Sequence, residues 1–146
     1  MILADFAAGA ILISFGAVLG KVNSFQLLVM ALLESFFYNM NSILGFFEIE
    51  TSDIGGSIFI HTFGAYFGLA VSAVISTPNA KSSTLNESNN TSNLVAMVGA
   101  LFLWMFWPSF NGALASNNAQ HRAVLNTVIS IASSCVAAFM TSTLTH

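Results

Sequence analysis

Between Leu3 and Leu144 the chain is almost continuously apolar, and polar residues interrupt it at only four places. Each uninterrupted run reaches the roughly 17–25 residues that a helix needs to cross a bilayer, so hydropathy alone predicts five spans. The first runs from about Leu3 to Leu19, and Gly20-Lys21-Val22-Asn23-Ser24 turns the chain. The second covers about Phe25 to Phe47 and ends in an acidic turn, Glu48-Ile49-Glu50-Thr51-Ser52-Asp53. Asp53 has the side chain of an N-cap for the third helix, which runs to about Ile75. Residues 76–93 hold Pro78, Lys81, Glu87 and many Ser, Thr and Asn, the composition of a loop. The fourth span is about Leu94 to Ala115, with Trp104, Trp107 and Pro108 in its second half. Ser116 to Arg122 forms a short polar turn, and the fifth span reaches about Leu144.

Composition removes the alternatives. The chain is 55% hydrophobic and 6% charged, against about 25% charged residues in soluble domains. A soluble fold this apolar would have no surface, so the lipid bilayer is the expected environment. The formal net charge of −3 rests on so few groups that it says little about partners, and without a basic patch nucleic acid is not expected. Cys135 is the only cysteine, which rules out an internal disulfide or a cysteine metal cluster; its apolar setting reads as that of a small buried hydrophobe. No metal or cofactor is expected. Met1-Ile2-Leu3-Ala4-Asp5 lacks the positive start of a signal peptide. Both ends read as cut from something longer.

The stretch from Asp53 to Gly68 carries the least expected residue. His61 lies about 12 Å along the helix from Asp53, at 1.5 Å per residue, close to the middle of a hydrocarbon core about 30 Å thick. A titratable side chain at that depth faces protein or a water-filled path. At about 100° per residue, Ser57, His61, Gly64 and Gly68 share one face, while Ile58, Phe59, Ile60, Phe63 and Phe67 occupy the others. A small, polar face can line a narrow pore, or it can be a Gly64-x-x-x-Gly68 packing seam with His61 hydrogen-bonded inside a bundle. Spacing leaves both open. Glu34 is an acid inside a span and receives no role from its spacing.

Orientation follows from the basic residues. Lys21 and Lys81 fall on one side of the membrane, and Glu48, Glu50, Asp53 and Arg122 on the other. Two lysines against one arginine put the 76–93 loop on the cytoplasmic side. The glycosylation patterns Asn86-Glu87-Ser88, Asn89-Asn90-Thr91 and Asn90-Thr91-Ser92 are then unused.

Four motifs carry a resemblance. Asp53-Ile-Gly-Gly-Ser-Ile-Phe-Ile-His61-Thr-Phe-Gly-Ala-Tyr-Phe-Gly-Leu69 resembles the fifth-helix signature of Rh glycoproteins in the ammonium transporter (Amt/Mep/Rh) family. Leu101-Phe-Leu-Trp-Met-Phe-Trp-Pro-Ser-Phe-Asn111 resembles their sixth-helix signature. Ala4-Asp5-Phe6 with Ile13-Ser-Phe-Gly-Ala-Val-Leu-Gly-Lys21 resembles the third helix, and Gln120-His-Arg-Ala-Val-Leu-Asn126-Thr127 the start of the seventh. The resemblance covers essentially the whole chain. It implies an all-α polytopic membrane protein, a fragment supplying spans three to seven of an eleven-to-twelve-helix fold built as two inverted halves. Residues 1–146 would then be one partial ammonium transporter/Rh-type transmembrane domain with a cytoplasmic loop at 76–93.

The family's properties follow only as implications. Its members are trimers in the cell membrane with a narrow pore through each subunit, so a homotrimer or Rh-family hetero-oligomer is implied. His61 matches the first of two pore histidines, and the second belongs to a later helix. Phe6 and Phe110 match the stacked pair that closes the outer pore mouth. Asp53 matches the buried acid that supports the site receiving ammonium, and it reads as both cap and charge. Trp104 and Trp107 read as packing or interface anchors. One departure is visible: Rh glycoproteins usually have Asn-Glu where this chain has Asn41-Ser42, which removes a carboxylate from the vestibule.

The implied function is passage of ammonia or ammonium through a hydrophobic pore, with carbon dioxide as a second possible solute. An ammonium ion stripped of water in a dry pore costs many kcal/mol, and neutral ammonia avoids most of that. Conduction involves no covalent chemistry, so no catalytic residue is expected. The alternative is a non-conducting Rh-like membrane scaffold or assembly partner. An intramembrane enzyme is disfavoured, because no nucleophile–base pair or metal-ligand cluster is visible.

Overall fold

The computed structural model describes residues 2–78, 83–84 and 87–145. Lys81 and Asn86, on which part of the orientation argument and the first glycosylation pattern rest, lie outside the described residues. The described chain is helical throughout, without a strand. Helix α1 is Ile2–Val18. Helix α2 is Ser24–Ile43 and continues into a π-helical turn, Leu44–Glu48. Helix α3 begins with a π-helical segment, Ser57–Thr62, and proceeds as Phe63–Ile75. Helices α4 and α5 are Asn90–Gly112 and Asn118–Thr145. Four of the five are long and apolar enough to cross a membrane; α1, at 17 residues, is shorter. The helices group into two compact units, Met1–Ser88 and Asn89–His146.

Local chemistry sets the helix starts. Asn23 Oδ1 accepts the Gln26 amide at 2.9 Å, and Gln26 Oε1 accepts the Asn23 amide at 2.9 Å. This reciprocal box satisfies two donors that the first turn of α2 would otherwise leave unpaired. Asn89 and Ser92 build the same box at the start of α4. The fourth helix therefore begins at Asn90, not at Leu94, and residues 90–93 of the expected loop are its first turn. Likewise α5 begins at Asn118, so His121 and Arg122 are helical and not part of a turn. Asn23→Ala is expected to lower stability by about 1 kcal/mol, the usual loss for a helix cap. Denaturant unfolding in detergent measures it, and an unchanged midpoint would show that water replaces the cap.

In the first unit α1 packs chiefly on α3 and also on α2. Its buried residues Phe6, Ala10, Ser14 and Val18 recur every fourth position. Gly64, Gly68 and Ser72 do the same on α3, as do Met30, Glu34 and Tyr38 on α2. A Cβ added to Gly64 would lie 2.7 Å from the Ala10 carbonyl oxygen, and one added to Gly68 would lie 2.7 Å from Ser14 Cα. The register rises together in both helices, so α1 and α3 run parallel, with Ala10 and Ser14 against Gly64 and Gly68. Close approach through small residues is how helices associate where apolar burial gives no advantage over lipid. Lys21 Nζ closes the far end of this seam by donating to Ser72 Oγ at 2.7 Å and to the Ala17 carbonyl at 3.2 Å. Helix α2 runs the other way, bringing Tyr38 to Phe63 and Phe37 to Phe67, with ring centroids 5.8 and 6.4 Å apart.

Polarity is inverted relative to a soluble bundle. Ser14, Glu34, Ser72 and Thr127 are buried, while leucines and phenylalanines such as Leu12, Leu32, Phe36 and Leu101 are exposed. An apolar exterior with polar groups held inside is stable where the solvent is hydrocarbon.

In the second unit α4 packs on α5. Gln120 Nε2 donates to the Gly112 carbonyl at 3.2 Å, satisfying an acceptor at the end of α4. Asn111 Nδ2 donates to Thr127 Oγ1 at 3.1 Å, and Thr127 Oγ1 donates to the Ala123 carbonyl at 2.6 Å. Cys135, expected to be buried, is exposed. Two packed helices cover only one face of each other, and Cys135 lies outside the covered face of α5.

Candidate functional site

The segment that carries His61 is not a regular α-helix. Gly56 precedes it in the left-handed region, at φ 75°. This conformation needs glycine, and a Cβ there would also lie 2.2 Å from Ile60 Cδ1. From Gly56 the chain winds into the π-segment. The Gly56 carbonyl accepts the Ile60 amide at 2.9 Å and the His61 amide, five residues on, at 3.0 Å. Thr62 Oγ1 donates to the Ser57 carbonyl at 2.8 Å. A π turn rotates less per residue than an α turn, so the wheel drawn at a constant 100° fails across residues 57–62. Ile60, expected on an outer face, is 1% exposed on the packed side, and Ser57 is exposed instead. Single π turns occur frequently at functional sites.

Asp53 organises the start of this segment. Its Oδ2 accepts the Ile58 and Phe59 amides at 2.9 and 3.0 Å, and its Oδ1 accepts the Ser57 hydroxyl at 3.1 Å. The carboxylate thus meets the unpaired amides and the positive end of the helix dipole together. It does so from beyond the helix end, because Gly56 holds the N-cap position. The expected start at Asp53 gives way to Ser57, and Glu50 at φ 54° and Gly56 at φ 75° bend the chain on either side of Asp53.

His61 is half-buried, and its Nδ1–H donates to the Gly56 carbonyl at 3.0 Å. A carbonyl only accepts, so this contact fixes the proton on Nδ1; in the neutral ring Nε2 then carries the lone pair. Beside it Phe59 is buried, its ring 4.5 Å from that of Phe46. Phe6 is 6% exposed on α1. Helix α1 also contacts the π-segment, and Phe6 lies on the stretch of α1 that precedes Ala10. Gly9 belongs to the same contact, since a Cβ on it would lie 3.5 Å from Ile60 Cγ2.

The first unit therefore brings three of the four expected residues, Phe6, Asp53 and His61, to one end of the α1–α3 pair. Phe110 belongs to the second unit. It is half-buried on α4 and stacks on Trp107, with ring centroids 4.9 Å apart and planes 9° from parallel. A cavity of about 390 Å³ opens beside Trp107, lined on α5 by Asn126, Thr127, Ser130, Ile131 and Ser134.

Spacing did not reveal one polar cluster. Ser14 Oγ lies 2.5 Å from Glu34 Oε1 and 2.8 Å from the Gly64 carbonyl oxygen, and both side chains are fully buried. The available signal was Glu34 itself, since an acid inside a span requires a partner.

An inverted polarity, long apolar helices and a capped, half-buried histidine define a polytopic helical membrane protein. The whole chain, residues 1–146, matches the Ammonium Transporter Family. It is 52% identical over 145 residues to the ammonium transporter Rh type B of Pongo pygmaeus. The identity is 50% over 148 residues to that of Danio rerio and 51% over 146 residues to that of Homo sapiens. These alignments cover 99%, 100% and 99% of this chain and 31%, 32% and 32% of the relatives. The chain thus spans about a third of the length of the curated relatives it matches. It belongs to the ammonium transporter family, a family of transporters and not of enzymes.

Proposed function

We propose that this chain forms part of a subunit that passes ammonia across a cell membrane. Ammonium arrives near Asp53, gives up its proton, and crosses as ammonia past Phe6, Phe110 and His61. The single observation that supports this reading is the shared end of α1 and α3. There the end of α1 that carries Phe6 packs against the segment that holds a histidine by its Nδ1, and a carboxylate caps the same segment. A histidine ring nitrogen is a hydrogen-bonding group that a small neutral solute can use. A charged solute gains too little from it to offset its lost hydration.

Residues 1–146 act in this proposal as one partial Rh-type transmembrane domain within a trimeric subunit assembly. The segment after α3 faces the cytoplasm, and Asp53 faces outward.

His61→Leu in the full-length subunit tests the proposal. Liposome acidification or alkalinisation driven by an ammonium gradient is expected to slow by about two- to tenfold, the value of one neutral hydrogen bond. Unchanged flux would remove His61 from the path and favour a non-conducting assembly role.

A further inference from the structure

Three helices of the first unit meet at one buried polar point whose hydrogens do not balance if Glu34 is ionised. The Ser14 hydroxyl lies within hydrogen-bonding distance of two acceptors, Glu34 Oε1 at 2.5 Å and the Gly64 carbonyl oxygen at 2.8 Å. It has one hydrogen to give. Glu34 Oε2 is buried with no hydrogen-bond partner. Lys21, the one lysine or arginine described in this unit, is engaged elsewhere, on Ala17 and Ser72. An ionised carboxylate here would hold a full charge in a dry interior on a shared fraction of one hydrogen. Buried charges persist only when paired.

We propose that Glu34 serves as a hydrogen-bond donor: its carboxylic acid O–H donates to Ser14 Oγ, and the Ser14 O–H donates to the Gly64 carbonyl, a relay that sets the position of the helix carrying His61. Every contact then has its own hydrogen. The relay ties α2 to α1 and α1 to α3 three residues beyond His61, just past the π-segment. Glu34 is thus a positioning residue. Its effect on flux rests on the transport reading; the relay itself does not.

The side chain of glutamine has the same reach and offers an N–H where the acid offers an O–H. Aspartate keeps the acid but is one methylene too short. In the full-length protein, Glu34→Gln is therefore expected to fold and to keep ammonia flux within about twofold. Glu34→Asp and Ser14→Ala are expected to lose about tenfold, the scale of one buried group left unsatisfied. The infrared spectrum of the wild-type protein at neutral pH should show the carbonyl stretch of a protonated carboxylic acid, sensitive to deuteration and absent from Glu34→Gln. That band is read whether or not the protein conducts, so wild-type liposomes without flux would sink the transport reading and leave the relay to be decided by the spectrum. A wild-type spectrum without the band overturns the relay. So does a Glu34→Gln protein that fails to fold, or one that loses flux while Glu34→Asp keeps it, because the position would then require a negative charge.

Discussion

Gly68→Leu is expected to abolish the folded first unit. A Cβ at residue 68 would lie 2.7 Å from Ser14 Cα, 3.0 Å from the Ser14 carbonyl oxygen and 3.0 Å from Ala17 Cβ. Two of these three obstacles are backbone, which cannot rotate aside as a side chain does. Only a shift of the whole of α1 makes room, and that shift withdraws Ser14 from Gly64 and from Glu34. Overpacking a core costs about 1–3 kcal/mol even where side chains can adjust. Here the lost hydrogen bonds add to it, against a total stability of about 5–15 kcal/mol for a typical protein. Gly16 is the control. A Cβ there meets nothing within 4 Å, so Gly16→Ala is expected to be neutral or to stabilise α1 by up to about 1 kcal/mol. Size-exclusion profiles and thermal unfolding in detergent distinguish the two variants. A Gly68→Leu protein as monodisperse and as stable as wild type would show that α1 and α3 do not meet at this seam.

The helices were legible because the apolar runs have the length of a bilayer and the polar turns are short. The Gly64–Gly68 seam was legible as one of two readings, and the backbone of α1 does lie against both glycines. The face around His61 was not legible. Its phase depends on a π-segment created by a left-handed Gly56 and by Asp53 reaching amides five and six residues on. No hydrophobic periodicity encodes that geometry. Glu34 could be seen as anomalous, yet its partner Ser14 is 20 residues away in sequence, and only the fold brings them together. The buried stripe of α1 mixes Phe6, Ala10, Ser14 and Val18, so neither size nor hydrophobicity marks it. Phe6 and Phe110 were two of fourteen phenylalanines, and motif resemblance, not composition, distinguished them.

Asp53 combines a structural and a proposed electrostatic role, and two substitutions separate them. Asp53→Asn keeps an oxygen that can accept the Ile58 and Phe59 amides, and its amide nitrogen can donate to Ser57 Oγ. What it loses is the charge at the helix end, worth about 0.3–1 kcal/mol of stability. Asp53→Ala loses every one of these contacts. A lost cap costs about 0.5–2 kcal/mol, and the Gly56–His61 turn that follows loses the group that anchors its start. Unfolding measurements should therefore rank wild type just above Asp53→Asn and well above Asp53→Ala. Flux should rank differently if the carboxylate receives ammonium. A charge-assisted hydrogen bond contributes about 1.5–3 kcal/mol, so occupancy at the entrance falls by about ten- to a hundredfold in both variants. A merely structural Asp53 predicts instead that flux follows stability, with Asp53→Asn conducting almost as wild type does. Liposome flux in the two variants, set beside their unfolding midpoints, decides between a cap that happens to be acidic and an acid that receives the substrate.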